Sequence, residues 1–93
     1  MIQYMYTVWL RDRLADKNEQ DYEYPVCIII EAENETLAKQ WGDKLSSDFS
    51  NRYHENEILK SKIEDIDKYK NQELTSVPLI KYGYKATDEE IGW

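Results

Sequence analysis

One cysteine, Cys27, leaves no internal disulfide to form, and it points to a reducing compartment. One histidine, His54, and that one cysteine cannot by themselves make a zinc site. Three glycines form no Gly-rich phosphate loop, and no Ser-His-Asp set or catalytic carboxylate pair can be assembled from the motifs present. The longest apolar run, Pro25–Ile30, is far short of the roughly 20 residues that span a bilayer. The first residues, MIQYMYTVWLRDR, lack the basic region and long apolar stretch of a secretory signal. Basic residues are also scarce: 12 against 19 acids, a formal charge of −7 in 93 residues. That sign repels phosphate backbones and anionic headgroups, so neither nucleic acid nor membrane is expected as a direct ligand. A basic protein surface would attract it.

Apolar residues make up 41% of the chain and aromatics 13%, a composition that folds into one small domain over residues 1–93. The stretch Tyr24–Phe49, YPVCIIIEAENETLAKQWGDKLSSDF, says most about how. In Val26, Cys27, Ile28, Ile29 and Ile30 both alternating sets are apolar, so both faces of that strand ask for cover. Asn34 is placed to cap a helix, with Glu33 and Glu35 at its positive end. Leu37, Ala38, Trp41, Leu45, Phe49 and Tyr53 then form one apolar stripe to about Tyr53. Gly42 costs that helix about 1 kcal/mol against Ala. Close packing on a sheet beside Trp41 is its simplest use.

Around this unit, Ile2–Leu10 alternates as a strand, with Ile2, Tyr4, Tyr6, Val8 and Leu10 on one face. Arg11–Glu23 is a charged loop, and Tyr24–Ala32 is the second strand. Glu57–Tyr69 fits either periodicity. A strand over Ile58–Ile66 is expected because a crossover helix usually returns into the sheet, although the alternation is poor. Lys68–Ser76 is loop, Val77–Lys85 a last strand, and Ala86–Trp93 an acidic tail. The expected architecture is α+β: a β-β-α-β-β ferredoxin-like half-fold, its antiparallel sheet in spatial order 2-1-3-4, with one long helix on one face. One helix covers one face. Met5, Trp9, Cys27 and Ile29 would line the other, which predicts a partner or a second copy there.

Candidate chemistry is thin. Cys27 sits mid-strand without a nearby cation and reads as a small hydrophobe. His54 suits a helix end, and a Cys27/His54 dyad is badly placed. Acids cluster at Glu31, Glu33 and Glu35, at Glu64, Asp65 and Asp67, and at Asp88, Glu89 and Glu90, with no Ca²⁺-loop spacing. Each cluster alone reads as a solvated face, and together they could imitate a nucleic-acid backbone. Eight tyrosines and three tryptophans are the other excess, and these are the residues that anchor interfaces.

The sequence therefore points to a non-catalytic, cofactor-free cytoplasmic domain that binds another protein with a basic surface. In type this profile resembles toxin-immunity proteins and phage-encoded inhibitors of bacterial defence. Its expected contact residues are Trp9, Asp16, Glu19, Asp21, Tyr22, Glu23, Tyr82, Tyr84, Asp88, Glu89, Glu90 and Trp93. A homodimeric accessory domain and a small divalent-metal enzyme are the alternatives.

Overall fold

The alternation in the first strand persists to Asp12, and its partner is the strand with two apolar faces. A computed structural model describes residues 1–12, 23–52, 56–69, 71–87 and 91, with no side-chain description for Asp12, Glu23 and Asn56. Strand β1 (Ile2–Asp12) pairs antiparallel with β2 (Glu23–Ala32), Tyr4 opposite Ile30, Tyr6 opposite Ile28 and Val8 opposite Val26. One face of this pair, carrying Tyr4, Tyr6, Val8, Leu10, Ile28, Ile30 and Ala32, is buried.

Helix α1 (Glu35–Arg52) lies on that face. Its start is the one the sequence predicts: Asn34 Oδ1 accepts the Leu37 N–H at 2.9 Å. Ala38, Leu45 and Phe49 of the stripe are buried, and Leu37 and Trp41 pack at its margin. Gly42 marks the closest approach. A Cβ built there would stand 2.4 Å from the Tyr6 ring, so a side chain would push helix and sheet apart. At 18 residues α1 is about 27 Å long, enough for one face of the sheet.

Residues 56–65 are a strand, as expected. β3 (Asn56–Asp65) pairs antiparallel with β1, Tyr6 opposite Ile63 and Val8 opposite Ser61. The weak alternation has a local cause. Trp9 faces Lys60 but Leu10 faces Ile58, so Leu59 is an extra, bulged residue. The bulge reverses the parity and lets both Ile58 and Ile63 reach the helix side.

The last strand corrects the expected topology. β4 is short (Leu79–Lys81) and pairs in parallel with β2, giving the order β3-β1-β2-β4 in a mixed sheet. The expected neighbourhood of β2, β1 and β3 holds, but β4 is on the opposite edge and the sheet is not wholly antiparallel. The reason is in the side chains. β2 is apolar on both faces and gains from a neighbour on each side, and β4 supplies Ile80 to the core. β3 carries Lys60 and Lys62, which suit an edge. The strand is shorter than Val77–Lys85 because the Tyr84 N–H closes a turn on the Lys81 C=O at 3.0 Å. Gly83, with φ 86°, takes the left-handed position of that turn.

The second face is also unlike the expectation. The chain crosses from the β3 edge to the β4 edge through a 3₁₀ turn (Ile66–Tyr69), which packs against β1, and half-buried Leu74, Val77 and Pro78 follow. The Tyr69 hydroxyl donates to Glu64 on β3, tying the turn to the sheet. Met5, Thr7 and Ile29 are 2%, 5% and 7% exposed, while Cys27 is open to solvent. Most of the face is thus covered by the chain itself, and the predicted need for a partner there is withdrawn. The expectation assumed that cover must be helical.

Candidate binding surface

Three places gather functional groups. The first is a polar hub between α1 and the sheet. The Tyr6 hydroxyl, buried in the core, donates to Asp43 Oδ1 at 2.8 Å, and Ser61 Oγ donates to the same oxygen at 2.6 Å. Lys39 Nζ meets Asp43 Oδ2 at 2.8 Å one helical turn away. Ser46 Oγ lies 3.2 Å from the Tyr6 hydroxyl and donates to the Asp43 carbonyl. Burial raises the Tyr6 pKa well above its ordinary range. Burial also acts to raise that of Asp43, but hydrogen bonds from Lys39, Ser61 and Tyr6 outweigh it and hold the carboxyl below its usual value. The hub forms one wall of a groove of about 470 Å³ lined by Glu35, Thr36, Lys39, Gln40, Asp43 and Ile63. Both Asp43 oxygens are already engaged, so the hub joins helix to sheet rather than offering reactive groups. The i, i+4 spacing of Lys39 and Asp43 was visible in the sequence; Tyr6 and Ser61 joined them through the fold.

The second place is the β4 end. Tyr82 packs against Trp41 with the rings tilted by 57° and their centroids 5.6 Å apart, and its N–H donates to the Glu31 carbonyl at 2.9 Å. Past the Gly83 turn, Tyr84 is 67% exposed and Leu79 is 50% exposed. Leu79 and Tyr84, with Ile80, Lys81, Lys85 and Ala86, line an open groove of about 270 Å³. Large apolar side chains gathered and exposed at one edge are what marks a contact surface.

The third place is Trp9, half-buried on the second face under two cations: Lys60 Nζ lies 4.7 Å and Lys62 Nζ 5.5 Å from the ring centroid. Trp9 pairs with Pro25 near the start of β2, whereas β4 pairs with residues 29–31 near its end. The structure therefore sets Tyr82 against Trp41 and Tyr84 in the groove with Leu79, both at the β4 end, and places Trp9 apart from them. Leu79 lines this edge as well and is not among the residues singled out from the sequence.

Asp16, Glu19, Asp21, Tyr22, Asp88, Glu89, Glu90 and Trp93 lie outside the described residues, as does His54; Glu23 opens β2. Of the acidic clusters, Glu64 is tied to Lys62 at 3.0 Å, to Lys68 at 3.7 Å and to Tyr69. Asp65 accepts the Asp67 N–H at 3.0 Å and so closes the following turn. Those carboxylates serve the fold. Glu33 and Glu35 remain exposed at the strand–helix turn. Among the described residues no group of three His, Cys, Asp or Glu side chains is placed to hold a metal ion, and no helix is long and apolar enough to cross a membrane.

Comparison with known proteins gave no matching family model, no matching curated protein and no matching solved structure.

Proposed function

We propose that the chain is a small cytoplasmic protein-binding domain, an inhibitor or neutraliser that docks on a partner with a basic surface. One observation carries the reading: Leu79 on β4 and Tyr84 past its closing turn are exposed along one open groove, with Tyr82 partly exposed nearby against Trp41. The charge of −7 supplies the approach, drawing a cationic partner by long-range attraction that salt screens. The aromatic groups then supply the contact, since Tyr combines a large apolar area with a polar tip.

The test is a titration of the purified protein against basic nucleases and nucleic-acid-guided effectors at low and high salt. A complex that weakens with salt is expected, and Tyr84→Ala should loosen it by about tenfold or more while leaving the melting temperature unchanged. Absence of any complex at low salt across that panel would remove the reading.

A further inference from the structure

A second surface offers itself on the opposite edge, and it stands independently of the β4 reading. β3 ends the sheet on that side, and among the described residues no strand pairs with its outer face. A ten-residue edge strand directs alternate N–H and C=O groups outward, where an extended segment can meet them. Beside this edge, on the helix side, runs the 470 Å³ groove between α1 and Ile63. A free strand edge flanked by a helix-walled groove is the geometry in which an added strand finds both backbone partners and room for its side chains.

We infer that the β3 edge takes an extended strand of another protein, one with carboxylates on one face and small or β-branched side chains on the other. The faces of β3 dictate that pattern. Lys60 and Lys62 are exposed on the second face, opposite Trp9 and Thr7 on β1. Lys68 adds a third cation, 65% exposed. The same face carries two carboxylates, Glu57 opposite Arg11 and Glu64 engaged by Lys62 and Lys68, so cations still outnumber acids. Among the described ion pairs of this face, Lys60, set over Trp9, is the one lysine without a carboxylate. A neighbouring strand would set alternate residues beside those lysines, where acids are favoured. Its other residues would face Ile63 and the Thr36 and Gln40 wall of the groove, where β-branched residues fit. A second copy of this chain suits the edge less well. Symmetric antiparallel pairing centred on Ser61 sets Lys60 against Lys62, and centring on either lysine sets it against itself. Centring on Ile63 sets Lys62 against a Glu64 already engaged by Lys62 and Lys68 of its own chain. The lysines and the Leu59 bulge also discourage indiscriminate strand pairing, so the edge selects by charge.

Amide hydrogen exchange of the full chain tests this with a short synthetic peptide in which Glu alternates with Val and Thr. Controls are the same peptide with Lys for Glu and the Glu peptide with N-methylated backbone amides. At a tenfold excess over its Kd, the Glu peptide should slow exchange of the outward β3 amides by about tenfold, and neither control should do so. The double variant Lys60→Glu/Lys62→Glu should reverse the preference in favour of the Lys peptide. The inference fails if no peptide protects β3, or if protection ignores the peptide's charge. It fails equally if the β3 amides become protected with rising protein concentration alone, which would make a second copy the occupant. None of these outcomes depends on Tyr84, so this surface and the β4 surface succeed or fail separately.

Discussion

Gly42 presents bare helix backbone to the face of Tyr6, and a Cβ added there would lie 2.4 Å from ring carbon Cδ2. Tyr6 has nowhere to retreat, since its ring is fully buried and its hydroxyl is held by Asp43 and lies beside Ser46. Two effects of Gly42→Ala therefore oppose each other. Helix propensity gains about 1 kcal/mol, and overpacking a rigid contact loses about 1–3 kcal/mol or more. The pinned ring puts the loss at the upper end, so a net destabilisation of about 1–2 kcal/mol is expected in urea unfolding. The same substitution in a Tyr6→Leu background should cost less, because the two positions couple through one contact. Equal costs in both backgrounds would show that the contact is soft.

The Asp43 carboxyl gives the fold an acid-sensitive joint. Its folded pKa lies below the unfolded value, so near pH 4 the unfolded chain binds more protons than the folded one. The stability it contributes is present above its ordinary carboxylate range and drains away as pH falls through the lower, folded value. Asp43→Asn should flatten that part of the stability profile and leave the neutral-pH slope alone. Asn can still accept from Tyr6 and Ser61, but its amide meets the Lys39 ammonium as donor against donor. Chemical unfolding from pH 3 to 7 checks this. An unchanged acid limb would assign that limb to other carboxylates.

Tyr69 makes the opposite prediction at high pH. Its hydrogen bond to Glu64, then burial, push its pKa up to about 12. The unfolded chain gives up this proton first, near pH 10, so the stabilisation is complete below that and is lost as pH climbs to about 12. In an ultraviolet absorbance titration Tyr69 should ionise with the late tyrosines, and Tyr69→Phe should remove one late transition. Tyr69→Ala goes further and removes bulk from the turn that packs on β1, the strand of the buried Met5, so light scattering should then detect more concentration-dependent association than in the parent chain. A monomeric Tyr69→Ala protein would mean that other residues of the crossing do the covering.

What could be read in advance follows from how local each signal is. The Ile2–Leu10 alternation, the Asn34 cap, the Leu37–Phe49 stripe and the use of Gly42 all rest on neighbours a few residues apart, and all are in the structure. The β3 pattern was blurred because one bulged residue, Leu59, shifts the parity between Ile58 and Ile63. The place of β4 was not legible, since a three-residue strand carries little pattern and its choice of edge depends on β2 wanting neighbours on both sides. The cover of the second face was missed for a similar reason. A largely polar crossing segment does the work of an apolar element, its 3₁₀ turn packed on β1 and tied to Glu64 through Tyr69. Of the expected contact residues, Tyr82 and Tyr84 were singled out by composition, but their separation from Trp9 needed the register.

The position of β1 also bears on how the polypeptide comes together during synthesis. The first strand made is central, flanked by segments that end at Ala32 and Asp65. Until the later of these has emerged from the ribosome, one side of β1 stays open, and its two tyrosines and Leu10 await a complete core. Pairings this distant close slowly, so the nascent protein passes through a stage in which its innermost strand is its most exposed.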